Sequence, residues 1–200
     1  MTYAAPLEEM RFVLDRLAGL PEIAVLPGFE DAQPDVVEAI LTEAARFAAE
    51  VLAPLNATGD HQGCRWEAGR VTTPDGFPLA YRQFVDAGWH AVPVNPAIGG
   101  QGMPALLSSA VAEMWKSANL AFSLCQMLTI GAVEALAHHA SDELKSRFLP
   151  KMVAGEWTGT MNLTEALSKQ FSGPSLAVVV SGRPVPIFQQ LARSDPVQRG

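Results

Sequence analysis

With 200 residues, 48% of them hydrophobic and 18% charged, the chain can bury one large core and has an ordinary soluble composition. A formal net charge of −7 excludes the clustered basic surface that nucleic-acid binding needs. Cys64 and Cys125 lie far apart without repeated spacing, which excludes a disulfide framework and fits a reducing compartment.

Glu8 and Glu9 stand where a secretory leader would carry basic residues and then an apolar run, so the expected location is cytoplasmic. Met10, Val13, Leu14 and Leu17 recur at helical spacing over Leu7 to Leu17, and Gly19 and Pro21 should end that helix. Pro34 and Asp35 suit the first turn of a second, longer helix. Its apolar stripe runs through Val36, Val37, Ile40, Ala44, Phe47, Ala48 and Val51 to Leu55. Asn56 to Pro78 holds glycines and little periodicity and reads as loop, with a short hairpin around Trp66 to Val71. Further helices are expected over Leu79 to Ala87, Pro104 to Trp115, Ala121 to His138 and Ser141 to Val153, the last capped by Ser141. Ala118 to Ala137 approaches membrane-spanning length. Asn119, Ser123, Gln126, Thr129 and Glu134 interrupt it, which favours a helix buried in protein and no membrane span.

From Gly155 to Glu165 the pattern changes to strict alternation. Trp157, Gly159, Met161 and Leu163 share one face of an extended segment, and Thr158, Thr160, Asn162 and Thr164 the other. This half-buried strand follows a long helical region and reads as the first strand of an incomplete β-domain, so the fold class is mostly α. The expected division is residues 1–153 helical, 154–165 the start of a β-domain, and 166–200 an irregular tail. Charge changes at the same place: 10 basic and 20 acidic side chains precede residue 166, and 4 basic and 1 acidic follow. Pro174, Pro184, Pro186 and Pro196 interrupt the tail, where only Leu176 to Val180 has strand character.

Chemistry is sparse at this level. Gly100-Gln-Gly102-Met-Pro-Ala105 fits a loose phosphate-binding fingerprint before a helix. No strong strand precedes it, however, Pro104 removes an amide, and no acidic residue follows at the usual distance, so a plain turn is preferred. His138 and His139, with His61 and Cys64, lack the spacing of a zinc helix. Glu113, Glu134, Glu156 and Glu165 are candidate acids that no spacing pairs. No catalytic residue and no metal ligand is nominated.

Five blocks nonetheless stand in a recognisable order: Asn95-Pro-Ala-Ile-Gly-Gly-Gln-Gly-Met-Pro104, Glu113-Met-Trp-Lys-Ser-Ala-Asn119, Ser141-Asp-Glu-Leu-Lys145, Leu149-Pro-Lys-Met-Val-Ala-Gly-Glu156 and Thr160-Met-Asn-Leu-Thr-Glu165. Together they resemble the N-terminal part of an acyl-CoA dehydrogenase over residues 1–165. Met10-Arg-Phe-Val-Leu14 and Leu26-Pro-Gly-Phe-Glu30 are similar to the branch that includes 3-methylmercaptopropionyl-CoA dehydrogenases.

The resemblance implies an FAD enzyme of homo-oligomeric type acting on an acyl-CoA, with a helical N-terminal domain, a middle β-domain and a C-terminal helical bundle. It implies that Met161 and Leu163 offer backbone groups to the flavin ring and that the Thr164 hydroxyl lies near N5. Taken without the resemblance, these three positions read as a strand edge. Where the family continues Thr-Glu-Pro-x-x-Gly-Ser-Asp, this chain has Thr164-Glu165-Ala166-Leu167-Ser168, so the pair that meets the flavin pyrophosphate is absent. The expectation is therefore a truncated or frame-shifted chain without the family's base, inactive alone. The alternative expectation is a non-catalytic helical module that binds a partner protein.

Overall fold

The computed structural model describes residues 3–162, 177–181 and 187–190. They fall into two compact units, residues 1–124 and 125–200.

In the first unit, α1 (Leu7–Phe12) runs on into a π-helical turn over Val13–Leu17, and Gly19, at φ 73°, turns the chain into the short α2 (Leu20–Ala24). The glycine ends the first helix as expected, while Pro21 sits in the opening turn of α2, where its missing N–H has no intrahelical acceptor. The long helix α3 (Pro34–Phe47) starts at Pro34, with Gln33 extended before it. It does not stop near Leu55. A second π turn, Ala48–Leu52, leads into α4 (Ala53–Gln62), so residues 56–62 are helical rather than loop. Pro54 stands in the first turn of α4. The wider π turn just before it absorbs the proline's lost hydrogen bond and ring, which lets the helix pass through. Gly59 then lies under the Phe77 ring, where a Cβ would stand 2.8 Å from Cζ. Gly63, at φ 61°, ends the helix.

The expected hairpin is present as β1 (Arg65–Glu67) and β2 (Arg70–Thr72), with Trp66 opposite Val71. Ala68 and Gly69 both have positive φ, the turn that matches strand twist. Next come α5 (Phe77–Asp86), two 3₁₀ turns (Trp89–Ala91 and Pro96–Ile98), α6 (Ala105–Ala118) and the start of α7 (Leu120–His139). Helix α6 packs on α3 and its π turn. Ala44 and Ala48 are fully buried there, and their small side chains bring the backbones close to Leu107, Val111 and Met114. An aromatic cluster closes this core: Phe84 meets Trp115 edge-on at 4.8 Å and Phe122 at 5.7 Å, and Trp89 meets Trp115 at 5.6 Å.

Asn119 links α6 to α7. Its Oδ1 accepts from Phe122 N at 3.0 Å, capping α7, and its Nδ2 donates to Leu52 O at 3.1 Å. Four of the five interruptions point inward, with Asn119, Ser123, Gln126 and Thr129 buried, whereas Glu134 is exposed. By length and composition alone α7 could cross a membrane, yet this buried polar stripe suits a helix packed in protein.

The second unit contains the rest of α7, α8 (Asp142–Val153) and three strands. Ser141 caps α8 by accepting from Leu144 N at 3.4 Å. Gly155, at φ 72°, ends it, with Glu156 N and Trp157 N both donating to Lys151 O. Buried Leu136, Phe148, Leu149 and Met152 form the core between the helices. The alternating segment is strand β3 (Thr158–Asn162). It pairs antiparallel with β4 (Ala177–Ser181), which pairs in turn with β5 (Ile187–Gln190). The strand expected at 176–180 thus lies at 177–181. The strand Ile187–Gln190 is absent from the sequence pattern.

Candidate functional site

Strand β3 carries the first of the predicted cofactor residues, and α7 fixes its position. The Thr129 hydroxyl donates to Cys125 O at 2.7 Å and accepts from Gly159 N at 3.1 Å, so one side chain ties the strand to the helix. Gly159 is buried against α7 and α8, where a Cβ would lie 2.6 Å from Ala132 Cβ and 2.8 Å from Met152 Cε. Trp157, just before the strand, meets Phe148 at a tilt with centroids 6.0 Å apart, and Lys151 Nζ lies 4.6 Å from its ring centroid. Two residues beyond Gly159, Met161 pairs with Val178.

In the order β3-β4-β5, β3 is the edge among the described residues, so alternate residues turn backbone N–H and C=O groups away from β4. That donor set suits the polar edge of a flavin ring. Met161 is in place on this edge strand, whereas Leu163 and Thr164 lie outside the described residues.

The glycine turn before α6 is not a phosphate cradle. Gly100 N donates to Asn95 O, Gln101 N to Ala91 O, Gly102 N to Val94 O and Met103 N to Val92 O, at 2.9–3.1 Å, which leaves no amide of this run for an anion. His138 and His139 have ring centroids 6.1 Å apart at 53°, and among the described residues no group of three or more His, Cys, Asp and Glu could hold a metal ion. Glu113, Glu134 and Glu156 are all exposed. Glu113 faces Tyr3, whose phenol pKa is raised first by burial and then by that carboxylate, against a hydrogen bond from Ser117.

Cys125 keeps some solvent contact, yet desolvation of its sulfur pushes its thiol pKa up, against hydrogen bonds with Thr129 and Thr158. That shift favours the thiol over the thiolate, the form that attacks. Alkylation of Cys125, followed site by site by mass spectrometry, is expected to reach half-maximal rate above the ordinary thiol pKa of about 8.5. A midpoint at or below that value would contradict the burial.

The sequence reading missed Thr129 and Gly159 as positioning residues. Thr129 registered as a polar interruption of an apolar helix, and that was the available signal: such a residue must meet a partner.

Residues 34–156 match the family model described as "Acyl-CoA dehydrogenase, N-terminal domain". The chain is 41% identical over 165 residues to a 3-methylmercaptopropionyl-CoA dehydrogenase of Ruegeria pomeroyi, covering 82% of this chain and 28% of that protein. It is 32% identical over 167 residues to a butyryl-CoA dehydrogenase of Syntrophomonas wolfei, covering 82% and 27%. The chain thus spans little more than a quarter of the length of these relatives. Among solved structures, the FAD complex of PigA superposes with a TM-score of 0.52 at 19% identity, over 74% of this chain and 41% of that one, a likeness of fold. With the helical core of residues 34–156 matched and the edge strand following directly on it, the chain belongs to the acyl-CoA dehydrogenase family.

Proposed function

We propose that this chain provides the helical wall and the flavin-facing strand for dehydrogenation of an acyl-CoA thioester between its α and β carbons. Family membership joined to β3 carries this reading: the strand pinned by Thr129 carries Met161, and Leu163 and Thr164 follow it in the sequence. FAD, when bound, supplies the hydride acceptor. Backbone groups of Met161 and Leu163 would hold its ring, and the Thr164 hydroxyl would donate a hydrogen bond to it. No described carboxylate is nominated as the α-proton base, and Glu113, Glu134 and Glu156 are exposed. Turnover by residues 1–200 alone is therefore expected to be absent. Two unpaired cysteines support a cytoplasmic location.

The test is titration of FAD into the chain, followed by flavin fluorescence, together with acyl-CoA-dependent reduction of an artificial electron acceptor. Saturable binding that Thr164→Val weakens about fivefold, the worth of one hydrogen bond, is expected, without dye reduction. Unchanged binding in the variant would remove Thr164 from the site. Turnover would place a base within these 200 residues.

A second reading has one observation in its favour. Leu120 and Leu124, one turn apart at the start of α7, are 56% and 44% exposed, an apolar face suited to a non-catalytic module that binds a partner protein.

A further inference from the structure

A cavity of about 320 Å³ opens between α1 with its π turn, α2 and the start of α3. Most of its lining precedes residue 34, where the match to the acyl-CoA dehydrogenase N-terminal domain begins, so the preceding segment builds most of the site. Leu14, Leu20, Val37 and Leu41 give it apolar, buried walls. Its volume is at the small end of the range for ligand sites, roughly 300–1,000 Å³.

The polar groups around the cavity leave one donor unused. Arg11, the single basic residue of the lining, pairs through Nη2 with Glu38 Oε1, which also accepts from the Thr42 hydroxyl. The Gln33 amide donates to Glu30 O at 2.8 Å. Arg11 Nε differs from these, being buried and without an acceptor among the described residues. A buried N–H in that state is destabilising until an oxygen reaches it. Water suits the place poorly, because an enclosed water needs several polar partners and these walls are aliphatic.

Charge decides which kind of oxygen fits. Arg11 and Glu38 cancel, and the exposed carboxylate of Asp15 at the rim leaves the surroundings on the negative side. An anion would meet Glu38 and Asp15 and would have to share a guanidinium already engaged. An ammonium has no acceptor to offer. An uncharged carbonyl accepts the N–H without either drawback.

We propose that this cavity binds an uncharged short-chain aliphatic carbonyl compound, its chain against Leu14, Leu20, Val37 and Leu41 and its oxygen accepting from Arg11 Nε. Apolar burial supplies the affinity, and the single donor fixes which end of the molecule meets Arg11.

The experiment titrates three probes into the full chain: 2-hexanone, 2-methyl-1-hexene, which has the same skeleton with a CH₂ in place of the oxygen, and hexanoate. Methyl NMR signals of Leu14, Leu20, Val37 and Leu41 report binding. Saturable shifts at these methyls are expected with the ketone and the alkene, and hexanoate should bind at least about tenfold more weakly than the ketone. Arg11→Met, which keeps an apolar stem and removes the donor, should weaken 2-hexanone about tenfold, the worth of one hydrogen bond from a charged group. The same variant should leave 2-methyl-1-hexene unchanged, which shows that the cavity itself is intact. Ala24→Phe, which puts a ring into the cavity, should abolish the shifts for both. Equal losses for ketone and alkene in Arg11→Met, no loss for the ketone, hexanoate binding as tightly as the ketone, or shifts confined to other methyls would each overturn the proposal.

Discussion

Gly100→Ala is expected to be the most damaging single-methyl change in the chain. A Cβ at this position would stand 1.9 Å from Val94 O and 2.3 Å from Val94 C, which are backbone atoms that cannot rotate away. Relief requires the loop to open, and the loop is a closed set of hydrogen bonds. Besides its four backbone pairs back to residues 91–95, Gln101 Nε2 donates to Gly88 O at 2.8 Å. Moving Gly100 breaks several of these in the neighbourhood of buried Val92 and Val94. A loss of about 3–5 kcal/mol follows from overpacking plus stranded polar groups. Thermal unfolding of the first unit should fall by roughly 10–20 °C. The control is Gly69→Ala in the hairpin turn, where nothing lies within 4 Å and only the positive φ of 79° is penalised. That substitution should cost about 1 kcal/mol, the ordinary price of a left-handed alanine. Gly100 has no positive φ, so equal effects at the two glycines would show that the crowding against Val94 is relieved at little cost.

Gly159→Ala is expected to displace β3 from the helices that hold it. The added methyl would lie 2.6 Å from Ala132 Cβ, which is fixed to α7, and 2.8 Å from Met152 Cε, which can swing aside. The strand must therefore move. In doing so it stretches the 3.1 Å bond from Gly159 N to Thr129 Oγ1. A cost of about 1–3 kcal/mol is expected for overpacking. Hydrogen exchange should show Thr158–Asn162 losing protection while Asp142–Val153 keeps most of its own. Ala132→Gly in the same chain should restore protection in the strand, although alone it costs about 1 kcal/mol in helix propensity. Because Met161 is two residues further along β3, FAD binding in the proposed site should weaken with the strand and recover with it. Protection unchanged in Gly159→Ala would mean that β3 is not held through this contact.

Both glycines show where sequence reading runs out. Gly100 was visible as part of a loose phosphate fingerprint, and Gly159 as one member of an alternating face. Neither pattern reveals that a single hydrogen atom fits there, because the atoms that forbid a methyl belong to Val94 and Ala132. The same holds for residues 56–62. Gly59, Asn56 and the lack of an apolar stripe signalled a loop, yet the segment continues as α4, with a π turn that accommodates Pro54 and the Phe77 ring seated where Gly59 leaves room. Of the three predicted cofactor positions, Met161 lies in β3, and Leu163 and Thr164 fall outside the described residues.

The amino-acid sequence by itself determined the mostly helical class, the start of the long helix at Pro34, the Ser141 cap, the hairpin centred on Trp66 and Val71, and the family, read from five blocks in order. These features are written in period, capping and turn chemistry, which act over a few neighbouring residues. Tertiary structure alone decided that Asn119, Ser123, Gln126 and Thr129 face inward, that Asn119 reaches Leu52, that Thr129 pins Gly159, and that Arg11 and Asp15 border an apolar cavity. Each of these joins groups on different elements. The energy of such a contact depends on distance and burial in the packed chain, which no local pattern encodes.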